Sequence, residues 1–75
     1  MYTIYSKPNC SFCSQAKDLL TMEQLPFEYK QLGTHYSLDE LMTLSPHAKS
    51  FPQVFEDGVL VGGFSDLVEY LKQQY

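Results

Sequence analysis

The chain has 75 residues, room for one small domain spanning 1–75 and no second one. Hydrophobic residues make up 44% and aromatics 15%, which excludes a disordered chain and supplies the core that so short a domain needs. The formal net charge is −4, with five lysines and no arginine, so the basic stripe that nucleic-acid binding requires is missing.

The opening "MYTIY" alternates like a strand over residues 1–5. It has neither a basic leader nor a long apolar run, and no segment approaches the length of a membrane span. A reducing cytoplasm is the expected compartment. "KPN" breaks the strand, and residues 10 to about 24 carry helical periodicity. Phe12, Cys13, Ala16, Leu19 and Leu20 fall on three- and four-residue steps and supply its apolar stripe, with Glu23 continuing the spacing. Pro26 ends the connection, and "FEYKQL" alternates again as a second strand. "SLDE", residues 37–40, fits a capping box between Ser37 and Glu40. Leu38, Leu41 and Met42 give that helix an apolar stripe, and Pro46 closes it.

"PQVFEDGVLVGG" holds the clearest local signal. Two β-prone runs flank Asp57-Gly58, the dipeptide that best supports a two-residue type I′ turn, so an antiparallel hairpin is expected. Gly62-Gly63 ends it. Ser65 is placed to cap a last helix, with Phe64, Leu67, Val68 and Leu71 facing inward and Asp66 and Glu69 near its positive end. The order β-α-β-α-β-β-α makes this an α/β chain. A βαβ unit requires a parallel pair and the hairpin an antiparallel one, so a four-stranded mixed sheet covered by three helices is the simplest solution.

Cys10 and Cys13 are the only cysteines. A disulfide between them closes too small a loop to act as a useful staple. A closed zinc site needs two further ligands. His35 and His47 lie in separate segments without paired spacing, so no metal is expected and each histidine reads as a solvated residue. A redox pair fits better. Cys10 falls at the start of the first helix, where unpaired amides and the macrodipole stabilise a thiolate. Lys7 adds positive charge just upstream. Cys10 is therefore expected as the nucleophile and the more buried Cys13 as the resolving thiol. Lowering a thiol's pKa from about 8.5 to roughly 5 raises its thiolate fraction near neutral pH by about 30-fold. Intrinsic nucleophilicity falls comparably, because the Brønsted slope is about 0.4–0.5. The net gain is a better leaving group, which suits a shuttle of disulfides.

Four pieces in order then resemble known proteins: "YSKPNCSFC", "AKDLLTMEQLPFEY", "SFPQVF" and "GGFSDL". From Tyr2 to about Leu71 the chain resembles the redox proteins of the thioredoxin-like fold, and most of all the glutaredoxins, particularly small bacteriophage-encoded ones. The resemblance implies a glutathione-dependent thiol–disulfide oxidoreductase that reduces protein disulfides and glutathione mixed disulfides. Glutathione would be the reductant, ribonucleotide reductase a possible acceptor among disulfide-containing proteins, and the chain a monomer. It also implies a cis bond before Pro52, although only about 5–6% of X–Pro bonds are cis. Such a bond turns the Phe51 amide and carbonyl outward to pair with a bound backbone. Lys7 and Lys49 are available for one glutathione carboxylate, and the Ser65 and Asp66 amides for the other. The Asp66 carboxylate would take the ammonium, Phe12 would flank the thiol, and Gly63, beside Gly62, would allow close approach. Gln53 is a weaker candidate.

The chain departs from the commonest pattern of that family. Ser11-Phe12 replaces Pro-Tyr between the cysteines, Ser50 replaces a threonine, and Phe51 stands where a smaller β-branched residue is usual. A small residue after the first cysteine keeps open an iron–sulfur cluster shared between two subunits. A redoxin reduced by thioredoxin reductase is a second alternative, although "VGGFSD" differs from the stretch such proteins carry. An amino-terminal domain of a glutathione transferase is a third, disfavoured by the cysteine pair.

Overall fold

Alternation along the first strand divides the protein into two cores. In the computed structural model, which describes residues 1–74, β1 (Tyr2–Ser6) sends Tyr2 and Ile4 to one face and Tyr5 to the other. The chain continues through α1 (Ser11–Met22), β2 (Phe27–Gln31), α2 (Leu38–Leu44), β3 (Gln53–Glu56), β4 (Val59–Gly62) and α3 (Phe64–Gln74). The strands form one sheet in the order β2-β1-β3-β4. β2 runs parallel to β1, while β3 is antiparallel to both β1 and β4. This is the expected mixed α/β arrangement. Among the described residues, no helix is long and apolar enough to cross a membrane.

On one face Tyr2, Ile4 and Val54 from the sheet meet Ala16 and Leu20 of α1 and Leu67 and Leu71 of α3. Ile4, Leu20, Val54 and Leu67 are fully buried, each stabilising the fold by about 1.5–3 kcal/mol relative to exposure. On the other face Tyr5 and Phe55 pack with Tyr36 and with Leu41 of α2. The Tyr5 ring stands edge-on to both Tyr36 and Phe55, with centroids 5.0 and 5.4 Å away.

Local chemistry accounts for the ends of most elements. β1 runs to Ser6, one residue past the expected end. The Ser6 hydroxyl donates to the Lys30 carbonyl at 2.9 Å, and its own carbonyl accepts from Leu32 N–H and the Tyr36 hydroxyl. α1 stops at Met22, short of Gln24. Gln24 N–H returns to the Thr21 carbonyl and Leu25 N–H to the Leu20 carbonyl, with Gln24 at φ +58°. That is a Schellman cap with glutamine in the left-handed position usually given to glycine. At α2 the capping box forms as read: Ser37 Oγ accepts from Glu40 N–H, and the Glu40 carboxylate accepts from Ser37 N–H. Asp57 and Gly58 both have positive φ, +50° and +83°, as a type I′ turn demands.

Three expectations need correction. Phe12 and Leu38 sit on the right helical steps, yet each remains about half exposed. Each lies in the first turn of its helix, where its side chain is left in solvent. Ser65 does not cap α3, because the helix starts at Phe64. The Gly63 carbonyl accepts from Leu67 N–H at 2.9 Å, so the cap position belongs to Gly63.

Candidate functional site

Asn9 turns the chain from β1 into α1. It adopts φ +57°, a conformation that asparagine tolerates better than most residues, and delivers Cys10 to the cap of α1 in extended geometry. The Cys10 carbonyl accepts the first helical bond, from Ser14 N–H at 3.2 Å. Its Sγ accepts from Cys13 N–H at 3.1 Å. A cap side chain normally contributes oxygen at this point; here it contributes sulfur, with an amide and the positive helix end aimed at it. Cys10 is partly exposed, Cys13 fully buried, and the two are joined as a disulfide with Cα atoms 5.3 Å apart.

A groove of about 480 Å³ opens beside this pair. Of the residues singled out in the sequence, Phe12, Lys49, Phe51, Gln53, Gly63, Ser65 and Asp66 line it. Three segments distant in sequence therefore meet: the start of α1, the loop from His47 through Phe51 to Gln53, and the turn into α3. Cys10, Cys13, Lys7 and Pro52 lie outside the lining, the two cysteines flanking Phe12. Lys7 is exposed, with Nζ 5.6 Å from the centre of the Phe51 ring, a cation–π contact at the groove's edge. Pro52 is fully buried and follows a cis peptide bond, as the resemblance implied.

At the far end the α3 terminus is organised by its own carboxylate. Gly63 N–H donates to Asp66 Oδ2 at 3.1 Å. Phe64, Ser65 and Asp66 occupy the first helical turn, whose amides lack intrahelical acceptors and so favour an anion. Gly62 is required for a different reason from the expected one. Its φ is +128°, and a Cβ there would overlap the Asp66 side chain. The space freed by glycine is taken by Asp66. At Gly63 a Cβ would meet only the Pro52 carbonyl, at an ordinary 3.7 Å.

Phe64, His47 and Gln53 complete this part of the lining. Phe64 packs against the core as expected, and, being half-buried, also stacks on Phe12 with centroids 5.9 Å apart and planes 29° from parallel. His47, read as merely solvated, also lines the groove. Gln53 is buried, and its Nε2 donates to the Ser50 carbonyl at 2.8 Å, so it braces the turn before Pro52. The double glycine was the available signal for Phe64: a chain bent sharply there brings the first residue of α3 back toward α1.

Comparison with known proteins agrees with this geometry. The family model described as Glutaredoxin matches residues 2–61. The glutaredoxin of Enterobacteria phage T4 is 36% identical, with 84% of this chain and 85% of that protein aligned. The hybrid peroxiredoxin hyPrx5 of Haemophilus influenzae is 38% identical over 91% of this chain, which spans only 28% of that longer protein. Among solved structures, the buckwheat glutaredoxin–glutathione complex superposes with a TM-score of 0.81, covering 97% of this chain and 69% of that one. At 22% identity that likeness concerns the fold. The family match, running through the cysteine pair and across most of the length, makes this chain a member of the glutaredoxin family, a thiol–disulfide oxidoreductase.

Proposed function

We propose that the chain is a glutathione-dependent dithiol glutaredoxin that reduces protein disulfides and protein–glutathione mixed disulfides. One observation carries the reading: a single groove beside the helix-capping cysteine collects a cation, an anion-binding helix start and a carboxylate. Glutathione offers two carboxylates and an ammonium, and these are its complements. The Ser65 and Asp66 amides suit one carboxylate, and the Asp66 side chain suits the ammonium. Lys49 and Lys7 flank the place of the second carboxylate, and the Phe51 backbone is the pairing edge. The buckwheat relative of the same fold binds glutathione, which supports the assignment.

In the exchange, the Cys10 thiolate bonds to one substrate sulfur while the substrate S–S bond breaks, and the other half leaves as a thiol. Cys13 then attacks the Cys10 sulfur, releasing the second thiol and closing the internal disulfide. Two electrons have passed to the substrate. Two glutathione molecules return them and become glutathione disulfide. The amide of Cys13 and the helix start favour the Cys10 thiolate, which therefore attacks as the anion and departs readily when the second glutathione attacks the glutathione sulfur of the Cys10 mixed disulfide. Ribonucleotide reductase is a suitable acceptor, and a reducing cytoplasm the suitable compartment.

The test is the Cys13→Ser variant. It is expected to keep activity on glutathionylated substrates and to lose the reduction of protein disulfides, whereas Cys10→Ser loses both. Equal loss of both activities in Cys13→Ser would remove the role assignment. Supplying glutathione with its reductase, or thioredoxin reductase alone, identifies the electron source.

A further inference from the structure

The groove is more apolar than the tripeptide assigned to it. Glutathione has carboxylates, an ammonium, amides and a thiol, and no large apolar side chain. Yet three phenylalanines, Phe12, Phe51 and Phe64, line the groove. Phe12 stands between the two cysteines and is 55% exposed, held against Phe64 in a near-parallel stack. A fixed aromatic surface in water is unfavourable until something covers it. Lys49 lines the same groove and Lys7 lies over Phe51, although the chain as a whole carries a charge of −4. Apolar surface and local positive charge thus meet next to the disulfide.

We infer that the groove selects extended polypeptide segments in which a large apolar residue adjoins the disulfide cysteine and a carboxylate lies close by. The apolar side chain covers the Phe12–Phe64 stack, and the carboxylate faces Lys49 or Lys7. This rests on the reading that Cys10 opens disulfide exchange, and it specifies which protein disulfides are accepted. The electron balance is that already given: the protein dithiol is oxidised by two electrons, and the peptide disulfide is reduced to two thiols.

The experiment is a single turnover without glutathione, so that failure of the glutathione assignment leaves it unaffected. Fully reduced protein is mixed with peptide disulfides identical except for Phe or Ser beside the cysteine, each carrying one nearby Glu, and released peptide thiol is measured. The Phe peptide is expected to react roughly tenfold faster, the upper range for an added aromatic contact. Phe12→Ala removes an exposed side chain, and Phe64→Leu keeps a large apolar one in a half-buried position; each should bring the ratio toward one. Exchanging the Glu for Lys should slow the wild-type reaction several-fold at low salt, with the gap closing as salt is added. Equal rates for the two peptides, a ratio that survives both variants, or indifference to the Glu-to-Lys exchange would overturn the inference. Failure of both peptides to react would overturn it together with the role of Cys10.

Discussion

Replacing Tyr36 with Phe removes one buried hydroxyl from the support of the active-site loop. Tyr36 is 6% exposed, and its hydroxyl donates to the Ser6 carbonyl at 2.7 Å, immediately before residues 7–9 lead to Cys10. The carbonyl keeps a second partner, Leu32 N–H at 2.8 Å, so it is not orphaned in the variant. At neutral pH the loss should be about 1 kcal/mol, lowering Tm by about 4–8 °C in a domain of this size. Alkali should reverse the order. Burial first, and then the nearby Tyr5, push the Tyr36 hydroxyl up to about 12 from its ordinary 10.0. Because the folded value is the raised one, its stabilising contribution is complete below pH 10 and is lost as pH rises through 12. At about 1.4 kcal/mol per pH unit, wild type loses roughly 2–3 kcal/mol that the variant cannot lose. The two stabilities should converge above pH 10 and cross at about pH 11, where the unfolded chain's phenol has ionised while the buried one is still held neutral. Tyr70, raised by its hydrogen bond to Glu56, titrates in both proteins and drops out of the difference. Urea denaturation of the two oxidised proteins from pH 8 to 12 tests this, and a constant stability difference across that range refutes the reasoning.

Two further outcomes follow from backbone geometry. Gln24→Gly relieves a left-handed glutamine at the Schellman cap of α1 and should raise stability by about 0.5–1 kcal/mol in thermal unfolding. A neutral or lower Tm would show that the side chain matters more than φ there. Gly62→Ala drives a Cβ into the Asp66 carboxylate at φ +128° and should cost roughly 1–3 kcal/mol. With the Asp66 cap displaced, KM for a glutathionylated substrate should rise more than kcat falls; an unchanged KM would remove Asp66 from the binding groove.

The chemistry of the site was legible because it is mostly local. A cysteine before a helix meets the amide three residues on, just as Ser37 meets Glu40, so the sulfur's environment follows from spacing alone. The binding residues were legible mainly through family likeness, since no spacing rule connects Lys49 to Asp66. Phe12 and Leu38 fall on the apolar stripe yet stay exposed for a related reason. Helical periodicity identifies an apolar stripe but not what covers it, so a residue in the first turn reads as core even when its side chain is left in solvent. The Ser65 cap failed because the helix begins one residue earlier, at Phe64, which puts Ser65 inside its first turn and Gly63 at the cap position.

Sequence by itself determined the order of elements, the type I′ hairpin, the capping box and the placement of Cys10 at a helix start. Each depends on torsions and hydrogen bonds within a few residues. Tertiary structure alone decided that residues from three separate segments line one groove, that Phe64 stacks on Phe12, and that Tyr36 closes onto Ser6. Those contacts join positions far apart in the chain. Their partners are chosen by how helices and sheet pack as three-dimensional bodies, information that no local pattern of residues contains.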